Sequence, residues 1–480
     1  MTDLQFVTKQ IDDMAPKAVE LSRKIWEYAE LPYEEFQSAA LLIQALREQG
    51  FEVEEGLAGM PTAFSASFAV GTGKPVIGLL GEYDALDALS QKAACPQRAP
   101  IREGAPGHGC GHNLLGAGSF AAAVAVKEYL VKNNKDGKVI YFGCPAEEGA
   151  GSKQFMARAG VFNSVDFVYT WHPGDRNEVS AKGNVAIMGA AFTFKGIASH
   201  AGGSPHLGRS ALDAAELMSV GTNYLREHMI DKARIHYAYS DAGGVSPNVV
   251  QSFAKVKYEV RAPKVDQMKE LFARVVNVAK GAALMTETEM DYEITMAFSD
   301  YVPNKVLAQV ASVCFEELGP PQWDAGDQEL AASFLANYNK STLASIRQDM
   351  VLEFGKNSDS TMWKSPLDTK VRPFDPRDSD YDSGSTDVGD VGYAVPTLNI
   401  NVATACFGTV WHSWQTTARM NSPLSEKGML TAAKVMALSC IRTAENPDII
   451  QQAREEWMEK TGGKYLCPLP QDVTPPIGKY

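Results

Sequence analysis

The chain has 480 residues, 45% hydrophobic and 21% charged, the balance of a soluble globular protein rather than of a disordered or fibrous one. A net charge of −13 argues against a nucleic-acid surface, which needs clustered Lys and Arg. The seven cysteines are odd in number and scattered, so no disulfide framework is expected and a reducing, cytoplasmic setting is. No apolar run approaches the roughly 20 residues that span a bilayer. Met1–Leu4 lacks the basic region that opens a signal peptide.

The length predicts two domains. Phe6, Val7, Ile11, Met14, Ala18, Leu21, Ile25 and Trp26 fall near helical spacing and predict a helix from Leu4 to about Tyr28. A second helix is predicted from Ser38 to Gln49, stopped by Gly50. Short apolar strands follow at Val76–Leu80, Val139–Phe142 and Val165–Trp171, with an Ala-rich helix over Leu114–Val131. Such alternation predicts an α/β sheet covered on both faces, with function at the strand ends.

Between about Asn184 and Phe298 the rhythm changes to strand, helix, strand, strand, helix, strand, the ferredoxin-like order. The α/β character resumes with a strand over Pro396–Val402 and a helix from Lys427 to about Thr443, so this unit reads as an insertion. The expected division is 1–185 and 301–480 for one domain and 186–300 for the inserted one. The polar stretch from about Gln322 to Ser385 is expected to be partly irregular, and the Pro-rich tail after Gly462 to lie on the surface.

Three motifs sit just after predicted strands: Gly81-Glu82-Tyr83-Asp84, Glu147-Glu148 and His172. Gly107-His108-Gly109-Cys110-Gly111-His112-Asn113 carries a thiol and an imidazole two positions apart among glycines. Glu147-Glu148 lies between Cys144-Pro145-Ala146 and Gly149-Ala150-Gly151, a tight turn rather than an exposed helix face. His172 ends the run from Asp166, and His412 follows a later strand. Each histidine alone is more often structural than a ligand. With Cys110, His112 and Glu148 they complete a mixed S/N/O set of five, enough for two ions sharing a bridge. One of two adjacent carboxylates can bind metal while the other handles protons. Cys144 is expected to fill core. In the inserted unit, His200, His206, Arg209, Asn248 and Arg261 form a cationic and polar set suited to a carboxylate and a developing oxyanion.

The chain resembles the binuclear metallohydrolase family that includes aminoacylase, glutamate carboxypeptidase and the indole-acetyl-amino-acid hydrolases (metallopeptidase family M-twenty). The resemblance covers essentially the whole chain. It rests on Leu80 to Leu86, Gly107 to Leu115, Pro145 to Gly149, Trp171-His172-Pro173, Ser204 to Asp213, Ser246 to Val250, Ser385 to Asp390 and Trp411 to Gln415. It implies a three-layer, zinc-peptidase-like α/β catalytic domain with an inserted ferredoxin-like lid and dimerisation domain. It implies Cys110, His112, Glu148, His172 and His412 as ligands of two divalent ions, manganese or zinc, and Glu147 as general base. It also implies His200 reaching across a dimer interface, and Asn248 and Arg261 on a substrate carboxylate. The implied reaction is amide hydrolysis of N-acyl or N-aroyl amino acids, p-aminobenzoyl-glutamate first, by a homodimer or a heteromer with a homologous subunit. The alternatives are a dipeptidase, an aromatic aminohydrolase or a catalytically silent partner chain. Asn113 departs from the Asp usual in cysteine-containing relatives.

Overall fold

The computed structural model describes residues 1–354, 365–378 and 380–479. α1 (Asp3–Tyr28) opens on Thr2, whose hydroxyl accepts from the Gln5 backbone N–H while the Gln5 side chain accepts from Thr2 N–H. This reciprocal cap satisfies donors that the first helical turn leaves free. The helix buries Val7, Ile11, Ala18, Leu21 and Ile25 along one stripe. α2 (Phe36–Glu48) follows, then β1 (Glu52–Glu55), β2 (Phe64–Val70), β3 (Val76–Gly81), α3 (His112–Lys132), β4 (Gly137–Gly143), α4 (Lys153–Arg158), β5 (Phe167–Gly174), β6 (Glu178–Val179) and β7 (Gly183–Asn184). The inserted region comprises β8 (Ala186–Lys195), α5 (Ala211–Leu225), β9 (Arg234–Asp241), β10 (Phe253–Ala262), α6 (Val265–Thr286) and β11 (Glu289–Phe298). The chain then forms α7 (Lys305–Leu318), α8 (Ala325–Leu335), α9 (Lys340–Phe354), β12 (Tyr381–Asp382) and β13 (Thr397–Ala403).

Seven strands make the large sheet, in the order β1-β2-β4-β3-β5-β13-β6. β4, β3, β5 and β13 are parallel, and antiparallel pairs lie at both margins. Alternate residues divide between two cores. Ile77, Leu79, Phe167, Tyr169 and Trp171 pack with α1, α3, α7 and the helix Pro423–Ala444. Val76, Leu80 and Val168 pack against α4 and the helix Val388–Ala394. Both faces are therefore covered, as the unbroken apolar strands require.

The second sheet has four antiparallel strands in the order β11-β8-β10-β9, with α5 and α6 on one face. The βαββαβ order read from the sequence is present. β9 is an edge strand.

Two expectations need correction. α3 is long and apolar enough to cross a membrane, with a mean hydropathy of 1.4, contrary to the sequence reading. Of that stretch 89% is buried inside the fold, so its apolarity is that of a core helix. His172 lies inside β5 rather than after it, and His112 is the first residue of α3 rather than part of a loop. The polar stretch 322–385 is partly irregular as expected, over 365–378, and also holds α8 and α9, while its residues 355–364 and 379 lie outside those described. The tail after Gly462 runs over the surface, as expected, and is anchored at several points. Leu469 is buried, Tyr465 Oη donates to Asp390 Oδ1 at 2.9 Å, and Arg158 donates to the carbonyls of Pro470 and Val473. Lys479 then pairs with Glu293 on β11.

Candidate metal centre

The C-terminal ends of β3, β4 and β5 converge on the turn before α3. Gly111 caps that helix with φ +85°, and a Cβ there would lie 2.7 Å from Met420 Sδ. Only glycine takes this left-handed bend without strain. A Cβ on Gly109 would approach the His412 Cα at 3.3 Å. That closeness lets the His412 N–H donate to Gly109 O at 3.1 Å, bringing His412 to the cysteine loop. Ala146, just before the carboxylate pair, has φ +61° and is held by its N–H to Glu35 Oε1 at 2.8 Å.

Cys110, His112 and His172 form one group whose donor atoms all lie within 4.8 Å of one another, and Cys110, Glu148 and His412 form a second. Cys110 belongs to both. Its Sγ is 3.5 Å from His172 Nε2, and Glu148 Oε1 is 3.3 Å from His412 Nε2. His112 Nδ1 bonds Asp84 Oδ1 at 2.7 Å, and His172 Nδ1 bonds Pro173 O at 2.8 Å. Both acceptors favour protonated Nδ1, which leaves the Nε2 lone pairs facing the cluster. His112 Nε2 and Glu148 Oε1 are buried without a well-formed hydrogen bond, their polar neighbours Glu82 Oε2 and His412 Nε2 each lying at 3.3 Å. Buried ligand-type atoms so poorly satisfied beside a thiol are what a transition-metal site leaves when its ligands are considered without the ion, so the residues fit divalent-cation binding.

The electrostatics separate the two adjacent glutamates. Burial, then the nearby Glu82 and Glu148, push the Glu147 carboxyl well above its ordinary range. Burial opposes ionisation of Glu148 too, but His412 and His112 outweigh it and bring its pKa down to about 2. Burial and the neighbouring His112 lower His172, the neutral form that binds metal. Environments that drive paired carboxylates apart assign one to proton transfer and one to charge.

Arg261 joins these residues in one cavity of about 470 Å³, its Nη1 3.2 Å from Ser385 Oγ and its buried Nε without a hydrogen-bond partner. His200 and Asn248 are not brought to it within the chain. Both lie on exposed loops, where His200 Nδ1 accepts from Gly202 N–H and Gly203 N–H. Arg209, also outside the cavity, pairs with Glu287 at 2.8 Å.

Several contributors had no role in the sequence reading. Asp84 holds His112 through one oxygen and accepts the Glu148 backbone N–H at 2.8 Å through the other. Its position just after a strand was the available signal. Fully buried Lys153 bridges Glu82 at 2.7 Å and Asp387 at 2.6 Å beneath the cluster, and nothing local marks it. Asn113 donates to Ser22 Oγ at 3.0 Å and Met420 O at 2.9 Å, which an unprotonated Asp could not do.

The model of Peptidase family M20/M25/M40 matches residues 78–358. One of the subunits of the p-aminobenzoyl-glutamate hydrolase of Escherichia coli (strain K12) is 40% identical over 475 residues, spanning 98% of each chain. The chain belongs to this peptidase family. Xaa-Arg dipeptidase of Mus musculus, 28% identical, aligns with 94% of this chain and 90% of its own. Among solved structures, an aminohydrolase from methicillin-resistant Staphylococcus aureus superposes with a TM-score of 0.64 at 16% identity, covering 92% of this chain and 99% of that one. Membership of the family accounts for the fold, an α/β sheet of the metallohydrolase kind.

Proposed function

We propose that this chain hydrolyses the amide bond of N-aroyl or N-acyl amino acids, p-aminobenzoyl-glutamate foremost. The observation that carries the reading is the pair of candidate ligand groups sharing Cys110, with Glu147 and Arg261, whose buried Nε has no hydrogen-bond partner, in the same cavity. Similarity along nearly the whole chain to one component of a p-aminobenzoyl-glutamate hydrolase supports the same substrate.

Cys110, His112, Glu148, His172 and His412 would hold two divalent cations, manganese or zinc. Such ions lower the pKa of a water and polarise a carbonyl. Glu147 takes the proton of the attacking water and returns it to the leaving nitrogen, which its raised proton affinity suits. Arg261 receives the carboxylate of the amino-acid side through charge-assisted hydrogen bonds. His200 and Asn248 serve the site of a second subunit, with 186–300 acting as lid and dimerising unit between 1–185 and 301–480. The partner is a second copy or a homologous chain. A different component of the same Escherichia coli hydrolase is 26% identical over 330 residues, which supports the heteromeric form.

The test is turnover of p-aminobenzoyl-glutamate by the purified chain after metal stripping, then after return of manganese or zinc. Hydrolysis restored by the ions is expected. A metal-loaded chain inert on all N-acyl amino acids refutes the proposal and leaves the alternative of a silent partner chain.

A further inference from the structure

The cavity floor carries two polar groups that amide hydrolysis leaves unused. Thr170 on β5 and Asn399 on β13 are register partners in the parallel pair. Both line the cavity that holds Glu147, His172 and Arg261. Thr170 is only 1% exposed, and neither its Oγ1 nor Asn399 Oδ1, both buried atoms, has a hydrogen-bond partner. The Asn399 backbone N–H is committed to Tyr301 Oη at 2.7 Å, which fixes that strand position. Val168, two residues before Thr170 on the same face, packs into apolar core. The face thus turns polar where the cavity begins, and buried polar groups without partners call for an explanation.

We propose that Thr170 and Asn399 form a subsite for a hydrogen-bond-donating group on the acyl side of the substrate, the ring amine of a p-aminobenzoyl group. The proposal rests on the amidohydrolase reading above. Side chains two apart on a strand share a face. Thr170 therefore lies on the side of β5 that carries His172, about 6.6 Å further along the strand at about 3.3 Å per residue. That offset is comparable to the breadth of an aromatic ring extending from a carbonyl held near His172. An amine para to the carbonyl points to the far edge of that ring. It offers two N–H donors, matching the amide oxygen of Asn399 and the hydroxyl of Thr170. Val388 and Trp411 line the same cavity and supply apolar surface for the ring. Arg261, on β10 of the other sheet, is left for the carboxylate.

The experiment compares kcat/KM for p-aminobenzoyl-glutamate and benzoyl-glutamate in the metal-loaded wild type, Thr170→Val and Asn399→Leu. It is paired with binding of p-aminobenzoate and benzoate, and metal content and thermal melting verify each variant. The wild type is expected to favour the amine-bearing substrate by at least about 10-fold, since a site built for a donor rejects the analogue without it. Each substitution should bring that ratio towards one, and p-aminobenzoate should lose its advantage over benzoate in parallel. A wild-type ratio of one, or equal losses on both substrates, overturns the subsite. Should the wild type cleave neither compound yet prefer p-aminobenzoate through Thr170 and Asn399, the subsite stands and the hydrolase reading falls. No turnover and no such preference overturns both.

Discussion

Asp84 and His112 are joined by a 2.7 Å hydrogen bond from the imidazole Nδ1, while the second oxygen of the same carboxylate receives the backbone N–H of Glu148. One buried aspartate thereby holds His112 and the backbone of Glu148, a member of each of the two groups that share Cys110. Asp84→Asn keeps the volume but can accept through only one oxygen. Affinity for the divalent ion should fall by about 10–100-fold, the usual scale for losing such an orienting partner. Competition with a chromogenic chelator measures it, and an unchanged dissociation constant would refute the orienting role.

Glu147→Gln removes the proton acceptor while preserving size. Turnover should fall by at least about 100-fold with metal content near wild type. Glu148→Gln should lose metal. Elemental analysis alongside kinetics distinguishes the two, and the reverse pattern would exchange their roles.

Without a cation, burial and then Glu148 push the Cys110 thiol up, so it is protonated. A bound cation takes the thiolate and shields it. Iodoacetamide should therefore label Cys110 more after chelation than before, read by peptide mass spectrometry. Equal labelling would remove Cys110 from the ligand set.

Arg261→Ala should remove the preference for a free carboxylate. A charge-assisted hydrogen bond contributes about 1.5–3 kcal/mol, so wild-type discrimination between p-aminobenzoyl-glutamate and its amide should be about 10–150-fold. Equal wild-type rates on both forms would place the carboxylate elsewhere.

His200→Ala should bind metal normally and be nearly inactive if the residue serves a second subunit's site. Mixing it with Glu147→Gln under verified subunit exchange should restore part of the activity, because one site of the mixed dimer is intact. Absence of recovery would confine His200 to its own chain or to no catalytic part.

The architecture was largely legible because hydrophobic period reports which faces are buried. Ile77 and Leu79 go to one core and Val76 and Leu80 to the other, and the inserted βαββαβ order is audible in the same way. α8 and α9 were not recognised, since their apolar and polar faces are weakly segregated. At the site, the candidate metal groups were marked by residue type and glycine-rich surroundings. Supporting groups did not. Lys153 looks like any surface lysine in the sequence, and only tertiary packing sets it between Glu82 and Asp387. Thr170 likewise reads as an ordinary strand residue until its hydroxyl is found without a partner.

The C-terminal tail has a mechanical meaning. Tyr465 is moored to Asp390 on the large-sheet side, Arg158 grips the tail midway, and Lys479 is tied to Glu293 on the outer strand of the four-stranded sheet. The two sheets are thus joined by the backbone at either end of β8–β11, by side-chain contacts such as Arg261 with Ser385, and by this tail. Any rotation of one sheet against the other would have to stretch or release the outer end of the tail.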